Sequence, residues 1–459
     1  MDRFDAISPL DFRYYAQKEV FEKLQPYLSE NAAIKYQARV EAAVAQALAG
    51  EGICTQEVAD NIRAACSEIT AEEVYEEEKK LKHNVRALVN CIRKRLQDKA
   101  KPFVHLSCTS HDIICTAEAL RMKEVMENII IPEIIKLEKM LIVLALKEKD
   151  TLQIGRTHGQ HAVPLTFGFA VAEYVARLGE SIGNMQKAVA NMRGKMSGAV
   201  GAYNASSLIV HDPERFEERV LLLLGLRPGT HATQIVAPEF MGEVIHAVIA
   251  AYGVLANFSD DMRHLQRSEL SEIAEQFDEQ QVGSSTMPHK RNPINFENVK
   301  SLWKAMMPRM MTMYMDQISE HQRDLTNSAS SRFIPEIVAA FYESVQRLQK
   351  QVEKIHVDKD AMKENLNRSI AAISAEPMYI LLAAYGHPDA HNAVLQLTHE
   401  AHKKNISLID CASNNQEIAR YINRMTAQQK EILNNPARYI GIAAKKTEKV
   451  CAYWGTKFG

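Results

Sequence analysis

The sequence predicts an all-α protein organised around long, mutually packed helices, and three observations carry that expectation. Apolar residues recur at alternating spacings of four and three through Leu178, Ile182, Met185, Val189, Met192 and Met196. The same helical period runs through Ile334, Ile337, Phe341, Val345, Leu348, Val352 and Ile355. Alternating β-branched runs between turn residues, the mark of strands, are nearly absent.

Taken along the chain, residues 1–109 read as an N-terminal helical domain of shorter helices joined by turns such as AGEGICT at 49–55. Residues 110–357 read as a central bundle. Its third, looser stripe runs through Met241, Val244, Val248, Tyr252, Leu255, Met262 and Leu265. Seams of this kind pack as bundles or coiled coils. A helix of forty residues would reach about 60 Å, longer than a compact domain is wide. Extended apolar seams are commonly buried in a second subunit, so a homo-oligomer sharing one bundle is expected. Residues 358–459 read as a C-terminal helical domain, interrupted by YGHPDAHN at 385–392 and NNPARY at 434–439.

Composition bounds the function. A chain of 459 residues is long for one domain. It is 46% hydrophobic and 24% charged, with formal net charge −2. No basic stripe is present, so a nucleic-acid partner is not expected. A phosphate-bearing small molecule needs only a few local cations. The seven cysteines, Cys54, Cys66, Cys91, Cys108, Cys115, Cys411 and Cys451, are odd in number and contain no CxxC pair. Free thiols in a reducing cytoplasm are expected, and a zinc site is not. The first residues, MDRFDAISPLDFRYY, have no apolar signal core, and no uncharged apolar run approaches membrane-spanning length. No membrane partner is expected.

One polar segment stands apart, QVGSSTMPHKRNP at 281–293. Gly283 permits unusual backbone angles, Ser284 and Ser285 offer hydroxyls, and Lys290, Arg291 and Asn292 offer cations and an amide. Composition alone would favour an exposed surface loop. The pattern is more specific. It resembles the signature of the fumarase/aspartase superfamily, Gly-Ser-x-x-Met-x-x-Lys-x-Asn, with Gly283, Ser284, Met287, Lys290 and Asn292 in place. The segment GRTHGQHAVPLTFG at 155–168 is similar to the histidine-bearing segment of the adenylosuccinate lyase branch. So are MSGAVGAY at 196–203, RDLTNSASSR at 323–332 and SPLDFRYY at 8–15.

The resemblance, which runs from residue 8 to at least residue 332, implies a three-domain fumarase/aspartase-type fold and a homotetramer with active sites shared between subunits. It also implies a β-elimination that releases fumarate from adenylosuccinate and from SAICAR, the succinylated imidazole-carboxamide ribotide. That reaction needs a positioned base, donors for developing negative charge, and an acid for the leaving nitrogen. By resemblance Ser284 is the base, His158 the acid, Lys290 a charge-stabilising group and Glu297 the carboxylate that partners the histidine. Ser285 is the rival base, because adjacent serines cannot be ranked by spacing. A serine hydroxyl would need nearby positive charge to ionise, and Lys290 is a plausible supplier. Arg13, Arg323 and Arg332 match anion-binding arginines, for which a guanidinium is suited. Tyr14, Gln234 and Ser328 match positions around a nucleotide. Thr109, Ser110, Thr157 and Asn292 match carboxylate-binding positions, and His83 and His105 match site histidines. No metal or organic cofactor is suggested.

Each of these residues also has an ordinary structural role open to it: a hydrogen-bonded histidine, a first-turn helix carboxylate at Glu297, or a surface ion pair for an arginine. The sequence departs from the branch pattern at Asn84, at His111, at Asn327 and in QIVAPEF after Gln234. Within the superfamily the alternative is a 3-carboxy-cis,cis-muconate cycloisomerase, which has no nucleotide phosphate to bind. A non-catalytic helical relative is the alternative of a different class.

Overall fold

The computed structural model describes residue 8 and residues 10–14, 18–276, 285–287, 289–318, 321–323 and 325–459. Ser284 lies outside them, as does Gly283. Among the described residues helices dominate, and the only sheets are three two-stranded pairs. The all-α expectation therefore holds. The longest described helix has 27 residues, Glu239–Leu265, about 40 Å of rise rather than 60 Å.

The chain forms two compact units. Unit 1 holds residues 1–135, 180–255 and 301–346, and unit 2 holds 136–179, 256–300 and 347–459. In unit 1 the helix Glu30–Gly50 starts where the Ser29 hydroxyl accepts from the Ala32 N–H at 3.1 Å. Thr55 caps Gln56–Ser67 in the same way, and Thr70 opens Ala71–Leu81 with a reciprocal capping box to Glu73. Val40, Val44 and Leu48 are fully buried, as are Ile62, Val74 and Leu88 of neighbouring helices. The third apolar stripe forms the predicted helix, and its Tyr252 hydroxyl pairs with Ser344 Oγ at 2.6 Å. Contrary to the sequence expectation, Glu239–Leu265 is apolar and long enough to cross a membrane. Its Val244, Val248, Tyr252 and Leu255 are spent on a protein core instead.

The stripe from Leu178 to Met196 is a helix only as far as Ala190. Met192 and Met196 stay buried, but their backbone is extended, with Arg193 and Gly194 pairing in parallel with Arg227 and Pro228. In unit 2 the helix Phe167–Ala190 begins against Ile131–Lys147. A Cβ on Gly168 would lie 2.3 Å from the Ala145 carbonyl oxygen, so only glycine allows that approach. Phe258 packs edge-on against Tyr174 and Phe296 at centroid distances of 5.2 and 6.3 Å. A separate apolar cluster around Met378, Leu382, Val394 and Leu397 holds the C-terminal helices together.

Glu138, in the helix Ile131–Lys147, is completely buried, and neither carboxylate oxygen finds a partner among the described residues. Burial pushes its pKa up to about 9. The folded chain thus keeps a proton that the unfolded chain loses above about pH 4.3. Stability from this site is intact below that value and drains away as pH rises toward 9. Glu138→Gln should therefore stabilise the protein at pH 8 by about 1–3 kcal/mol and change little near pH 4. Urea unfolding at the two pH values is the measurement. An equal loss of stability at both would mean that the carboxyl is held by a hydrogen bond.

Candidate active site

In unit 1 the helix Ser110–Val125 presents Thr109 and Ser110 at its N-terminal end. Asp112, three residues on, reaches back to the Thr109 N–H at 2.8 Å, and its other oxygen accepts from the Gly198 N–H at 3.2 Å. The same oxygen receives a very short hydrogen bond from Lys195. Lys195 also donates to the Gly198 carbonyl at 3.1 Å, and both charged residues are sealed from solvent. The Thr116 hydroxyl donates to the Lys195 carbonyl and accepts from its N–H, at 2.9 and 3.0 Å. Glu217 finishes the job by accepting from the Met196 N–H and the Tyr203 hydroxyl, both at 2.6 Å. The MSGAVGAY segment is thereby clamped to the Thr109–Ser110 turn. Gly201, at φ +82°, could carry no side chain, since a Cβ would sit 1.9 Å from the Ala232 oxygen.

His105 has a positive φ of 64° and binds Glu41 Oε1 through Nδ1 at 2.7 Å. Burial pulls its pKa down, but the Glu41 hydrogen bond and charge more than reverse this, and the net shift is upward. His83 caps the helix Asn84–Lys94, with Nδ1 accepting from the Arg86 N–H at 3.3 Å. Its imidazole is therefore a helix cap as well as a candidate site group. Arg13 and Tyr14 end the short helical turn Leu10–Tyr14, with Arg13 exposed.

A cavity of about 190 Å³ in unit 1 gathers several of the remaining candidates. Arg323, Asn327 and Ser328 line it together with His111, Cys115 and Arg193. Gln234 does not line it, and its backbone N–H donates to the Gln322 carbonyl at 3.3 Å. Asn327 is locked by its amide to the Asp316 carbonyl at 2.6 Å, and Arg193 by its guanidinium to Asn191 at 2.6 Å. Arg323 differs: its Nε and Nη1 are buried with no partner among the described residues. Arg332 is exposed, lies off the cavity wall, and donates to the Ser328 carbonyl at 2.9 Å.

Unit 2 carries the proposed acid and the polar loop. His158 tops a hairpin that periodicity did not predict, β1 (Leu152–Thr157) paired antiparallel with β2 (Gln160–Thr166). Thr157 faces Gln160 across a two-residue turn in which His158 and Gly159 have φ of 55° and 74°. Two positive φ angles suit the twist of a tight hairpin, and Gly159 was its one sequence signal. The turn leaves Thr157 and His158 exposed. Beneath it Arg156 meets the fully buried Glu272 at 2.5 and 3.2 Å. Glu272 also accepts from Gln153 at 2.7 Å and Asn365 at 2.9 Å. His161 Nδ1 pairs with Ser369 Oγ at 2.7 Å.

Lys290 is exposed, and its N–H bonds the Met287 carbonyl at 3.0 Å. Asn292 is half-buried two residues before the helix Ile294–Met306, and Glu297 is exposed in that helix's first turn. Glu275 seats the helix start by accepting from the Asn295 and Phe296 N–H groups at 3.0 and 2.8 Å. Burial pushes its carboxyl upward despite those donors. Glu297 and His158 make no hydrogen bond or ion pair with each other among the described residues. Sequence reasoning passed over Lys195, Glu217, Glu272 and Glu275. The Thr109-x-x-Asp112 spacing was a readable capping signal for one end of the clamp; the glutamates had none.

Residues 13–307 match the protein family described as "Lyase", and residues 319–439 match one described as "Adenylosuccinate lyase C-terminal". The adenylosuccinate lyase of Pyrococcus horikoshii is 34% identical over 98% of this chain and 98% of its own length. That of Methanocaldococcus jannaschii is 33% identical over 97% and 95%. The structure of the 3-carboxy-cis,cis-muconate lactonizing enzyme from Pseudomonas putida superposes with a TM-score of 0.82 at 23% identity, covering 98% of this chain and all of that one. At that identity the likeness speaks for the fold alone.

The clamp has a direct test. Lys195→Met leaves Asp112 ionised and unpaired in the interior, and should cost about 3–5 kcal/mol in denaturant unfolding. Adding Asp112→Asn to Lys195→Met should recover part of the loss. Additive losses in the double variant would show that the two groups do not act as a pair.

Proposed function

This chain belongs to the adenylosuccinate lyase family, and from that premise we propose that it cleaves the C–N bond of adenylosuccinate to AMP and fumarate, and of SAICAR to AICAR and fumarate. The observation that carries the reading is the Arg323 guanidinium, with two buried N–H groups unpartnered in a cavity that also presents Ser328. A buried donor without an acceptor costs about 1–3 kcal/mol, and an anionic ligand removes that cost. Burial, and then the Arg323 and Lys195 charges, hold His111 below the usual histidine pKa.

In the reaction Ser284 removes a proton from the carbon next to a succinyl carboxylate. The electron pair forms the fumarate double bond as the adjacent C–N bond breaks. His158 returns a proton to the departing nitrogen, and Glu297 partners His158. Lys290, Asn292, Thr109, Ser110 and Thr157 hold the carboxylates, whose negative charge grows in the transition state. Arg13 and Arg332 receive the phosphate, with Tyr14, Gln234, Ser328, His83 and His105 around the nucleotide. Sites completed by other subunits of a homotetramer, which the family resemblance implies, belong to the same proposal. A soluble, cytoplasmic enzyme without a cofactor completes the proposal. A muconate cycloisomerase would have no use for the Arg13, Ser328 and Arg332 pattern.

Fumarate release from adenylosuccinate, SAICAR and argininosuccinate discriminates the substrates; turnover of argininosuccinate alone would overturn the assignment. Arg323→Gln should weaken anion binding by about 1.5–3 kcal/mol, read as Kd for AMP and for fumarate, while the thermal stability of the ligand-free protein holds or rises. Ser284→Ala and His158→Gln should each bind substrate yet lose several orders of magnitude in single-turnover rate. Mixed and reassembled, the two inactive chains should regain activity if the residues come from different subunits. A more damaging Ser285→Ala would move the base to Ser285.

A further inference from the structure

Several titratable side chains in the cavity that holds Arg323 have no task in the reaction above, and His111 is the one whose ring keeps a hydrogen-bonding atom in reserve. His111 lies in the first turn of Ser110–Val125 and lines the cavity, half-buried. Its Nδ1 is 3.6 Å from Cys115 Sγ, one helical turn on. That contact fixes the ring and leaves Nε2 as its other hydrogen-bonding atom.

Among the described residues the charged groups around it have partners, with one exception. On its own helix, Asp112 is committed to Lys195 and to backbone donors. Cys115 is kept a neutral thiol by burial. Glu118, raised by burial, holds Arg121 at 2.7 Å. From the 191–198 segment, Arg193 is bound to Asn191 and Lys195 to Asp112. From the opposite wall, Asp316 accepts from Ser330 at 2.8 and 2.9 Å. Among the described residues lining the cavity, Arg323 brings charge with N–H groups unspent. The empty cavity therefore sets a neutral imidazole beside an unpaired guanidinium. Burial first, then Arg323 and Lys195, keep the proton off His111, and Asp112 opposes them only in part. An anion docked on Arg323 cancels one of those repulsions and adds an attraction.

We propose that His111 is a proton-linked substrate contact: it takes up a proton when a carboxylate or phosphate oxygen docks on Arg323, and becomes a second cation against that anion. The inference rests on the reading that this cavity receives an anionic part of the substrate. It assigns a role to a residue at which the chain departs from the pattern of its branch. Affinity should then be greatest at low pH and fall as pH rises through the pKa that His111 has in the complex. The fall is about tenfold for each unit by which docking lifts that pKa.

The test is calorimetric titration of the intact protein with AMP and, separately, with fumarate, near pH 6.5 in buffers of different ionisation enthalpy. The wild-type protein should take up a sizeable fraction of one proton per bound ligand. His111→Asn and His111→Gln, which keep a polar side chain but cannot titrate, should bind with that uptake lost and the pH dependence flattened. Binding without uptake in the wild type overturns the proposal, whatever the variants do. So does uptake that persists unchanged in both variants. Turnover of adenylosuccinate with no proton linkage would sink this inference and leave the proposed reaction standing, whereas failure of both ligands to bind and of turnover would sink both.

Discussion

A buried ion pair, Asp112 with Lys195, is the constraint on which the rest of unit 1 depends. Two charges taken out of water are stable only when every remaining lone pair and proton is used. Here Asp112 also accepts from the Thr109 and Gly198 N–H groups, and Lys195 also donates to the Gly198 carbonyl. Those requirements fix the 109–112 turn against the 195–198 segment, some eighty residues apart in the chain. A pair of apolar side chains of equal volume could fill the space, but would leave that register free. The carboxylate-binding candidates Thr109 and Ser110 owe their placement to this pair. His111 owes its neutrality in part to the same lysine.

Unit 2 repeats the logic with different residues. Glu272, buried without solvent, is satisfied by Arg156, Gln153 and Asn365, and it anchors both the hairpin strand and a helix of the C-terminal region. Above that anchor His158 is held at positive φ, a conformation costing a non-glycine residue on the order of 1–3 kcal/mol. His105, Ser107 and Tyr203 are held in the same region of backbone space. All four fall in or beside segments that the family resemblance singles out. Lys82, Ser271, His321 and Asn405 also have positive φ, so such backbone is not confined to these segments, but at His105, His158 and Tyr203 a buried glutamate bonds the residue itself or one two positions away.

The electrostatic pattern is one of suppressed charge. Burial raises Glu217 and Glu275, and the field of Arg323 and Lys195 lowers His111. His105 goes the other way because Glu41 lies against it. The result is a set of side chains whose protonation answers to whatever ion sits nearby.

Helicity and motif residues could be read directly from the chain. Period and the shortage of strand signals give the helical class, and the stripe at Ile334–Ile355 and the one ending at Leu265 form helices close to the expected bounds. The Ser29, Thr55 and Thr70 caps are equally local, because a cap needs only the three residues that follow it. Ser284, His158 and Arg323 were legible as residues of a motif, since spacing records identity. Their surroundings were not. The stripe through Met196 keeps its apolar face but abandons the helix at Ala190, and Lys195 is thereby presented to Asp112. The His158 hairpin forms within a strongly helical chain because Arg156 finds Glu272 more than a hundred residues later. Arg323 keeps buried N–H groups without a partner because the described carboxylates Asp112 and Asp316 are already satisfied by other donors. Each of these outcomes is set by pairing between distant residues in a low-dielectric interior, where an unmet charge or donor is expensive. Only the tertiary structure decides which of them are met.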